Sequence, residues 1–239
     1  MYNVRRFDNV DDITQAAAEQ TIDILKGAIS NFGSATWVVA GGSSPLPAYK
    51  LIAHHFADSL DWSKVTAIMG DERIGPTDGP DNNWHAIERI IHDLPLKKII
   101  PQSDLSAEHA AEHYEMELLR LPKHDNGLPR FDLVWLGVGG DGHTLSLFPN
   151  HPSILPTDKL VIPVHESPKP PSDRISLSFR ALQGTVNLII IVTGAEKSDI
   201  VQQSIGQSQN YPVAIAANIV ATHEGNVTWL TDSNPPSNN

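Results

Sequence analysis

The sequence predicts an α/β protein: a doubly wound, mostly parallel sheet with helices on both faces, plus a small partly antiparallel portion. Three observations carry this. Several short runs are apolar throughout, as strands covered on both faces are. Those runs alternate with stretches of helical period. Clusters rich in Gly, Ser and Asp follow the runs, where such sheets gather their ligands.

Taken in order, Asp12 is placed to cap a helix running to about Asn31, with Ile13, Ala17, Ile24 and Leu25 apolar and Gly33 as its stop. TWVVA (Thr36–Ala40) reads as a strand, then a Gly-Gly turn, then a helix from Pro45 or Pro47. VTAIM (Val65–Met69) is the next strand, followed by a Gly/Pro/Asp-rich loop and a helix over about Trp84–His92. Ser106 is placed to cap a helix ending near Leu121. FDLVWLG (Phe131–Gly137) and LVIPV (Leu160–Val164) read as strands. RISLSF (Arg174–Phe179) alternates strictly, as a half-exposed strand does, and is expected in an antiparallel portion or a small subdomain. VNLIIIVTG is a buried strand, Glu196–Ile205 a helix, and VTWL (Val227–Leu230) a final edge strand. Neither a repeat nor a splitting linker interrupts this order, so residues 1–232 are expected to form one catalytic domain and 233–239 a disordered tail.

Composition narrows the function. The 239 residues carry 17 Lys+Arg against 28 Asp+Glu, a net charge of −11, and no cysteine. Disulfides, thiolate metal sites and cysteine nucleophiles are excluded. Such a charge argues against a general nucleic-acid or anionic-membrane partner. An anionic substrate has to be caught by a few local Arg and Lys. The longest apolar run, Val186–Val192, is far short of a membrane span, and MYNVRRFDNVDD lacks the apolar stretch of a secretory or twin-arginine signal. A soluble cytoplasmic protein is therefore expected.

Two motif matches fail on context. Gly137, Gly139 and Gly142 fit the dinucleotide fingerprint, but Asp141 would sit beside a pyrophosphate, and Pro149 and Pro152 cut short the helix that should follow. His109, Glu112 and His113 fit a zinc-protease pattern, yet the apolar stripe of that helix is Ala107, Ala111, Tyr114, Leu118 and Leu121, which turns the triad to solvent. His54, His55, His85 and His124 have no motif around them and read as surface or cap residues. No P-loop and no nucleophile elbow are present.

His143 follows three glycines and Asp141 on a tight strand-end loop. It is either a general base near neutral pH with Asp141 orienting its ring, or a satisfied loop histidine. Arg73, next to Asp71 and Glu72, either grips a phosphate or pairs with a neighbouring acid. Lys197, in the first turn of a helix after a buried strand, is an anion ligand or an ordinary exposed lysine. Gly42, Ser43 and Ser44 offer N–H groups and hydroxyls to a ligand, or merely cap a helix.

The blocks AGGSSPLPAYKLI (Ala40–Ile52), GDERIGPTDGPDNNW (Gly70–Trp84), FDLVWLGVGGDGHTLSLFP (Phe131–Pro149), ESPKPPSDRISLSF (Glu166–Phe179) and IVTGAEKSDIV (Ile191–Val201) occur together and in order. In this the chain resembles the 6-phosphogluconolactonase family. YPVAIAANIV and VTWLTD are similar to that family's C-terminal segment. The resemblance implies an α/β fold shared with glucosamine-6-phosphate deaminase and ribose-5-phosphate isomerase. It implies hydrolysis of 6-phospho-D-glucono-1,5-lactone to 6-phosphogluconate in the pentose phosphate pathway, with no metal and no organic cofactor.

The resemblance also places roles on particular residues. The family's catalytic histidine falls on His143, with Asp141, two residues earlier, placed to orient its ring. The phosphate grip falls on Arg73, Arg174 and Lys197, the family's Gly-Ser turn on Gly42, Ser43 and Ser44, and its Asn on Asn83; Asp71, beside Arg73, is counted among the substrate-binding residues with them. The partners implied are a small sugar-phosphate lactone and, at most, a second copy of the chain in a weak oligomer; neither nucleic acid nor membrane is expected. Asn82 stands where the family has serine, and Gly75 where it usually has an apolar residue such as valine. The rival on this scaffold is a glucosamine-6-phosphate deaminase or another sugar-phosphate isomerase. The deaminase pattern has tyrosine at the Arg73 position and continues its His loop to a catalytic glutamate, where this chain has SLFP. A non-catalytic sugar-phosphate sensor would keep the cations but lose the base.

Overall fold

Seven segments pair in parallel, the inner ones largely apolar and buried, as strands interleaved with helices should be. They are β1 (Tyr2–Arg6), β2 (Ala35–Val39), β3 (Val65–Met69), β5 (Lys97–Ile99), β6 (Leu133–Gly137), β9 (Asn187–Val192) and β10 (Asn226–Thr231). The computed structural model describes residues 2–205 and 211–232; the tail expected over 233–239 lies outside the described residues. The strand order is β1-β10-β9-β6-β2-β3-β5. Every residue of β2 is buried. Successive side chains of a strand point to opposite faces, so both faces there are covered. The helices that cover them are α1 (Val10–Phe32), α2 (Leu46–His55), α3 (Asn83–Ile91), α4 (Ala107–Leu118), α5 (Ser198–Ile205) and α6 (Pro212–Thr222). Trp37 and Trp135 meet edge to face at 5.0 Å beneath Tyr49 of α2, and Trp135 Nε1 donates to Thr21 of α1.

From β2 the chain winds outward through β3 to β5; from β6 it winds the other way through β9 to β10. The order therefore reverses between the adjacent strands β2 and β6. A crevice opens beyond the carboxyl ends of strands at such a switch point. A second sheet, antiparallel in the order β4-β8-β7, combines β4 (Asp71–Arg73), β8 (Arg174–Leu177) and β7 (Val161–Val164).

Several expectations need correction. The first helix is capped by Asn9, not Asp12: Asn9 Oδ1 accepts from the Asp12 N–H and Asn9 Nδ2 donates to the Asp12 carboxylate, both at 2.9 Å. Asp12 is thus the far member of a reciprocal capping pair. VTWL is interior, because β1 pairs outside it, Tyr2 to Val227 through Arg6 to Thr231. The polar, charged YNVRR segment hides that edge strand, although charge is how edges are protected. RISLSF is not half-exposed: Arg174 through Ser178 are all buried. Its polar face is covered by the His143 loop, where Ser146 N–H donates to Ser176 Oγ at 3.2 Å. Finally, Lys197 ends a 3₁₀ turn, Ala195–Lys197, that leads into α5, rather than lying in the helix itself.

The two motifs rejected on context stay rejected. His109 and Glu112 are exposed and His113 half-buried, on the face of α4 opposite buried Ala107, Ala111, Tyr114 and Leu118. No His/Asp/Glu group among the described residues could hold a metal ion. The glycine loop after β6 leads to turns and a short 3₁₀ segment at Pro152–Ile154, not to a crossover helix. No helix of the described residues is long and apolar enough to cross a membrane.

Glu72 is fully buried and anchors α3. Its carboxyl accepts from the N–H groups of Arg73 (2.9 Å), Asn83 (2.7 Å) and Trp84 (2.9 Å), the last two being the first residues of that helix. Burial pushes the carboxyl up to about 7 against the pull of those donors, and the neighbouring Asp71 adds to the rise. A carboxyl raised on folding contributes stability that is full below its ordinary value of 4.5 and is lost as the pH rises through about 7. Glu72→Gln is expected to flatten that part of the stability-against-pH curve. Glu72→Ala, which strands buried N–H groups, is expected to cost about 1–3 kcal/mol per stranded group in urea unfolding. Equal pH slopes in wild type and Glu72→Gln would contradict this assignment.

Candidate active site

The crevice at the switch point is a cleft of about 200 Å³. Gly42, Ser43, Ser44, Asp71, Arg73, Asn83, His143, Arg174 and Lys197 all line it. They come from five separate stretches of sequence and meet because β2, β3, β6 and β9 all end on this edge, with the small sheet folded over it. Asp141 does not line the cleft; it stands behind His143.

His143 is held on a turn closed by two backbone bonds, Gly139 N–H to His143 O and Gly142 N–H to Gly139 O, both 2.9 Å. The ring packs so closely on this turn that a Cβ on Gly139 would collide with it. Glycine is therefore required there. Nδ1 faces Asp141 Oδ1 at 2.5 Å. With the carboxylate accepting, Nδ1 carries the hydrogen and Nε2 of the neutral ring keeps its lone pair. The ring stacks on Phe148 at 4.7 Å.

Lys169, which the sequence reasoning did not single out, completes this group. Its Nζ lies 3.3 Å from His143 Nδ1 and 3.4 Å from Asp141 Oδ1. Burial pushes the His143 imidazole below its ordinary value, Asp141 opposes this, and the Lys169 ammonium adds to the lowering. Burial works to raise the Asp141 carboxyl, but its hydrogen bonds and charge interaction with His143 and the Lys169 ammonium outweigh it and hold the group below the usual carboxylate range. The signal for Lys169 was the SPKPP segment itself, whose prolines stiffen the strap that carries the lysine.

Arg73 and Arg174 are direct cross-strand partners in the β4–β8 pair. Like charges in that relation repel. Burial and then the Arg73 charge push the Arg174 guanidinium down. Arg174 Nε and Nη2 donate to the carbonyls of Pro171, Lys169 and Pro170 at 2.9–3.1 Å, and its guanidinium lies 5.5 Å from the Phe148 ring centre. Phe148 thus lies under both the histidine and the arginine. Arg73 Nη1 donates to the Asp81 carbonyl at 2.9 Å, and its buried Nε has no protein partner. Among the described residues Arg73, Arg174 and Lys197 form no ion pair, so the acid-partner alternative for Arg73 fails.

The remaining lining residues are fixed by one another. The Asp71 carboxylate accepts from Ser146 Oγ at 2.6 Å and its carbonyl from Asn83 Nδ2 at 3.2 Å. Ser44 Oγ pairs with Thr193 Oγ1 at 2.8 Å, and α2 has no side-chain cap, so the serines are not simple caps. Asn82, at the family's serine position, caps α3 by accepting from His85 N–H at 2.7 Å.

A family model described as glucosamine-6-phosphate isomerases/6-phosphogluconolactonase matches residues 8–229. The chain belongs to this family. It is 34% identical over 237 residues to a probable chloroplastic 6-phosphogluconolactonase 4 of Oryza sativa subsp. indica, covering 95% of this chain and 73% of that protein. It is 32% identical over 241 residues to a 6-phosphogluconolactonase of Mycobacterium tuberculosis, covering 96% and 95% of the two chains. The solved structure of 6-phosphogluconolactonase from Trypanosoma brucei superposes with a TM-score of 0.82 at 26% identity, over 97% of this chain and 96% of that one.

Proposed function

We propose that the protein is a 6-phosphogluconolactonase, hydrolysing 6-phospho-D-glucono-1,5-lactone to 6-phosphogluconate. The observation that supports this most is the pairing of two unneutralised arginines across one strand pair, in a cleft that also presents the free Nε2 of a carboxylate-oriented histidine. In a protein of net charge −11, such a cation cluster fits a dianion on the ligand. The names of the relatives point the same way.

A δ-lactone is an activated ester and requires no covalent nucleophile. His143 Nε2 takes a proton from water as its oxygen attacks the C1 carbonyl. The tetrahedral oxyanion then collapses, the C1–ring-oxygen bond breaks, and the imidazolium returns its proton to the leaving oxygen. Asp141 keeps Nδ1 protonated and the ring aligned throughout. Arg73, Arg174 and Lys197 hold the phosphate remote from C1, so binding there orients the lactone before reaction. Gly42, Ser43, Ser44, Asp71 and Asn83 contact the sugar and phosphate between these two ends. No step calls for a metal or organic cofactor, and a chelator is expected to leave the rate unchanged. A single catalytic domain and a cytoplasmic location belong to the same proposal, although the rice relative is named chloroplastic.

The isomerase alternative needs a carboxylate base for proton transfer between carbons. Glu72 is turned into α3 and does not line the cleft, and Asp71 is engaged by Ser146. The deciding assay offers both substrates: acid release from the phosphorylated lactone is expected, and ammonia release from glucosamine 6-phosphate is not. The reverse outcome would refute the proposal.

The base must be neutral to act, and His143 is held below its ordinary value of 6.5. Activity is therefore expected to be full at neutral pH and to fall on acidification with a midpoint below 6.5. Lys169→Met removes a charge that lowers this value, so the acid limb should move to higher pH. A limb that stays in place, or moves lower, would contradict the role given to Lys169.

A further inference from the structure

Two buried tyrosines stand where the substrate loops leave the large sheet. The Tyr49 hydroxyl, from α2, accepts from the Ala40 N–H and donates to the Ala40 carbonyl, both at 3.0 Å. Ala40 is the first residue beyond the β2 ladder, which ends at the Val39–Met69 pair, and Gly41 and Gly42 follow it. The Tyr114 hydroxyl, from α4, donates to the Met69 carbonyl at 2.7 Å and lies 3.2 Å from the Ile99 carbonyl. Met69 is the last residue of β3, and Gly70 and Asp71 follow it. Phenylalanine would fill either space. A hydroxyl buried this deeply is tolerated only when bonded, and both are bonded to strand-end backbone rather than to their own helices.

The two strand ends also meet each other. Gly70 N–H donates to Val39 O at 3.2 Å. Asn83 donates to the Asp71 carbonyl, and a Cβ on Gly41 would collide with the Asn83 side-chain amide. A continuous set of contacts therefore runs from Tyr49 through Ala40, Gly41, Asn83, Asp71 and Met69 to Tyr114. It sets the spacing between the Gly41–Ser44 turn and the strand that carries Arg73.

We propose that Tyr49 and Tyr114 are positioning residues for the anion-binding half of the cleft, their hydroxyls fixing the spacing of the two segments that close on the phosphate. The assignment of phosphate to this cleft rests on the lactonase reading; the latching of the loops does not. The test uses Tyr49→Phe and Tyr114→Phe in the full chain, with three readouts. Each variant is expected to raise KM for the phosphorylated lactone, and the Kd for inorganic phosphate by calorimetry, about three- to tenfold, the size of one lost hydrogen bond. kcat should stay within about twofold, since the reacting end is untouched. Amide hydrogen exchange should quicken at Ala40–Ser44 in Tyr49→Phe and at Gly70–Arg73 in Tyr114→Phe. A fall in melting temperature with KM, phosphate affinity and loop exchange unchanged would overturn the proposal, leaving the tyrosines as core packing alone. Wild-type protein that binds phosphate but fails to turn over the lactone would instead count against the lactonase reading, and the phosphate and exchange data would still judge the tyrosines.

Discussion

Replacing His143 by alanine is expected to lower kcat for the phosphorylated lactone by about 10²–10⁴-fold, the range for a lost general base. KM should change little, because the proposed grip on the phosphate lies at the other end of the cleft. The effect follows from three local facts. Asp141 fixes the tautomer at 2.5 Å, Gly139 lets the ring lie against its own turn, and Phe148 supports one ring face. None of these survives as chemistry without the imidazole. Asp141→Asn should lower kcat less than His143→Ala does, since the ring remains but its orientation and charge partner are weakened. Near-full activity in His143→Ala would show that another group activates the water.

The second large effect is on binding. Arg73→Ala is expected to raise KM for the phosphorylated lactone by about 10- to 100-fold, the worth of charged hydrogen bonds to one dianion. Unphosphorylated gluconolactone should be nearly indifferent to the change. The Arg73 side chain makes one protein hydrogen bond, to the Asp81 carbonyl, so its loss should disturb the fold little. Arg174 is a less clean probe, because it also ties down the carbonyls of Lys169, Pro170 and Pro171. Lys197→Ala should act in the same direction as Arg73→Ala. An equal loss on both lactones would mean that the arginine serves the reacting end instead.

Much of this molecule is legible from its sequence where burial and polarity agree. β2, β3, β6 and β9 announce themselves because nearly every position is apolar, and Ser106 marks its helix because a hydroxyl at that position caps it. The failures fall where the two disagree. β1 carries two arginines and so hides as an edge strand. β8 alternates like a surface strand, yet its polar side is buried against the site. β4 and β5 are only three residues long and mixed in polarity. The candidate site was largely readable because tight glycine turns and charged residues stand at strand ends. What the sequence could not supply was register. The opposition of Arg73 to Arg174 is a property of strand pairing across a hundred residues, and the approach of Lys169 to His143 depends on how one strap folds over another loop.

The central claim is that the base and the phosphate grip share one cleft and act on opposite ends of one ligand. A crystal structure of the protein with 6-phosphogluconate bound tests it directly. The phosphate is expected between Arg73, Arg174 and Lys197, with the C1 carboxylate within hydrogen-bond reach of His143 Nε2. A product whose phosphate lies away from those three cations, or whose C1 lies away from that nitrogen, would contradict it.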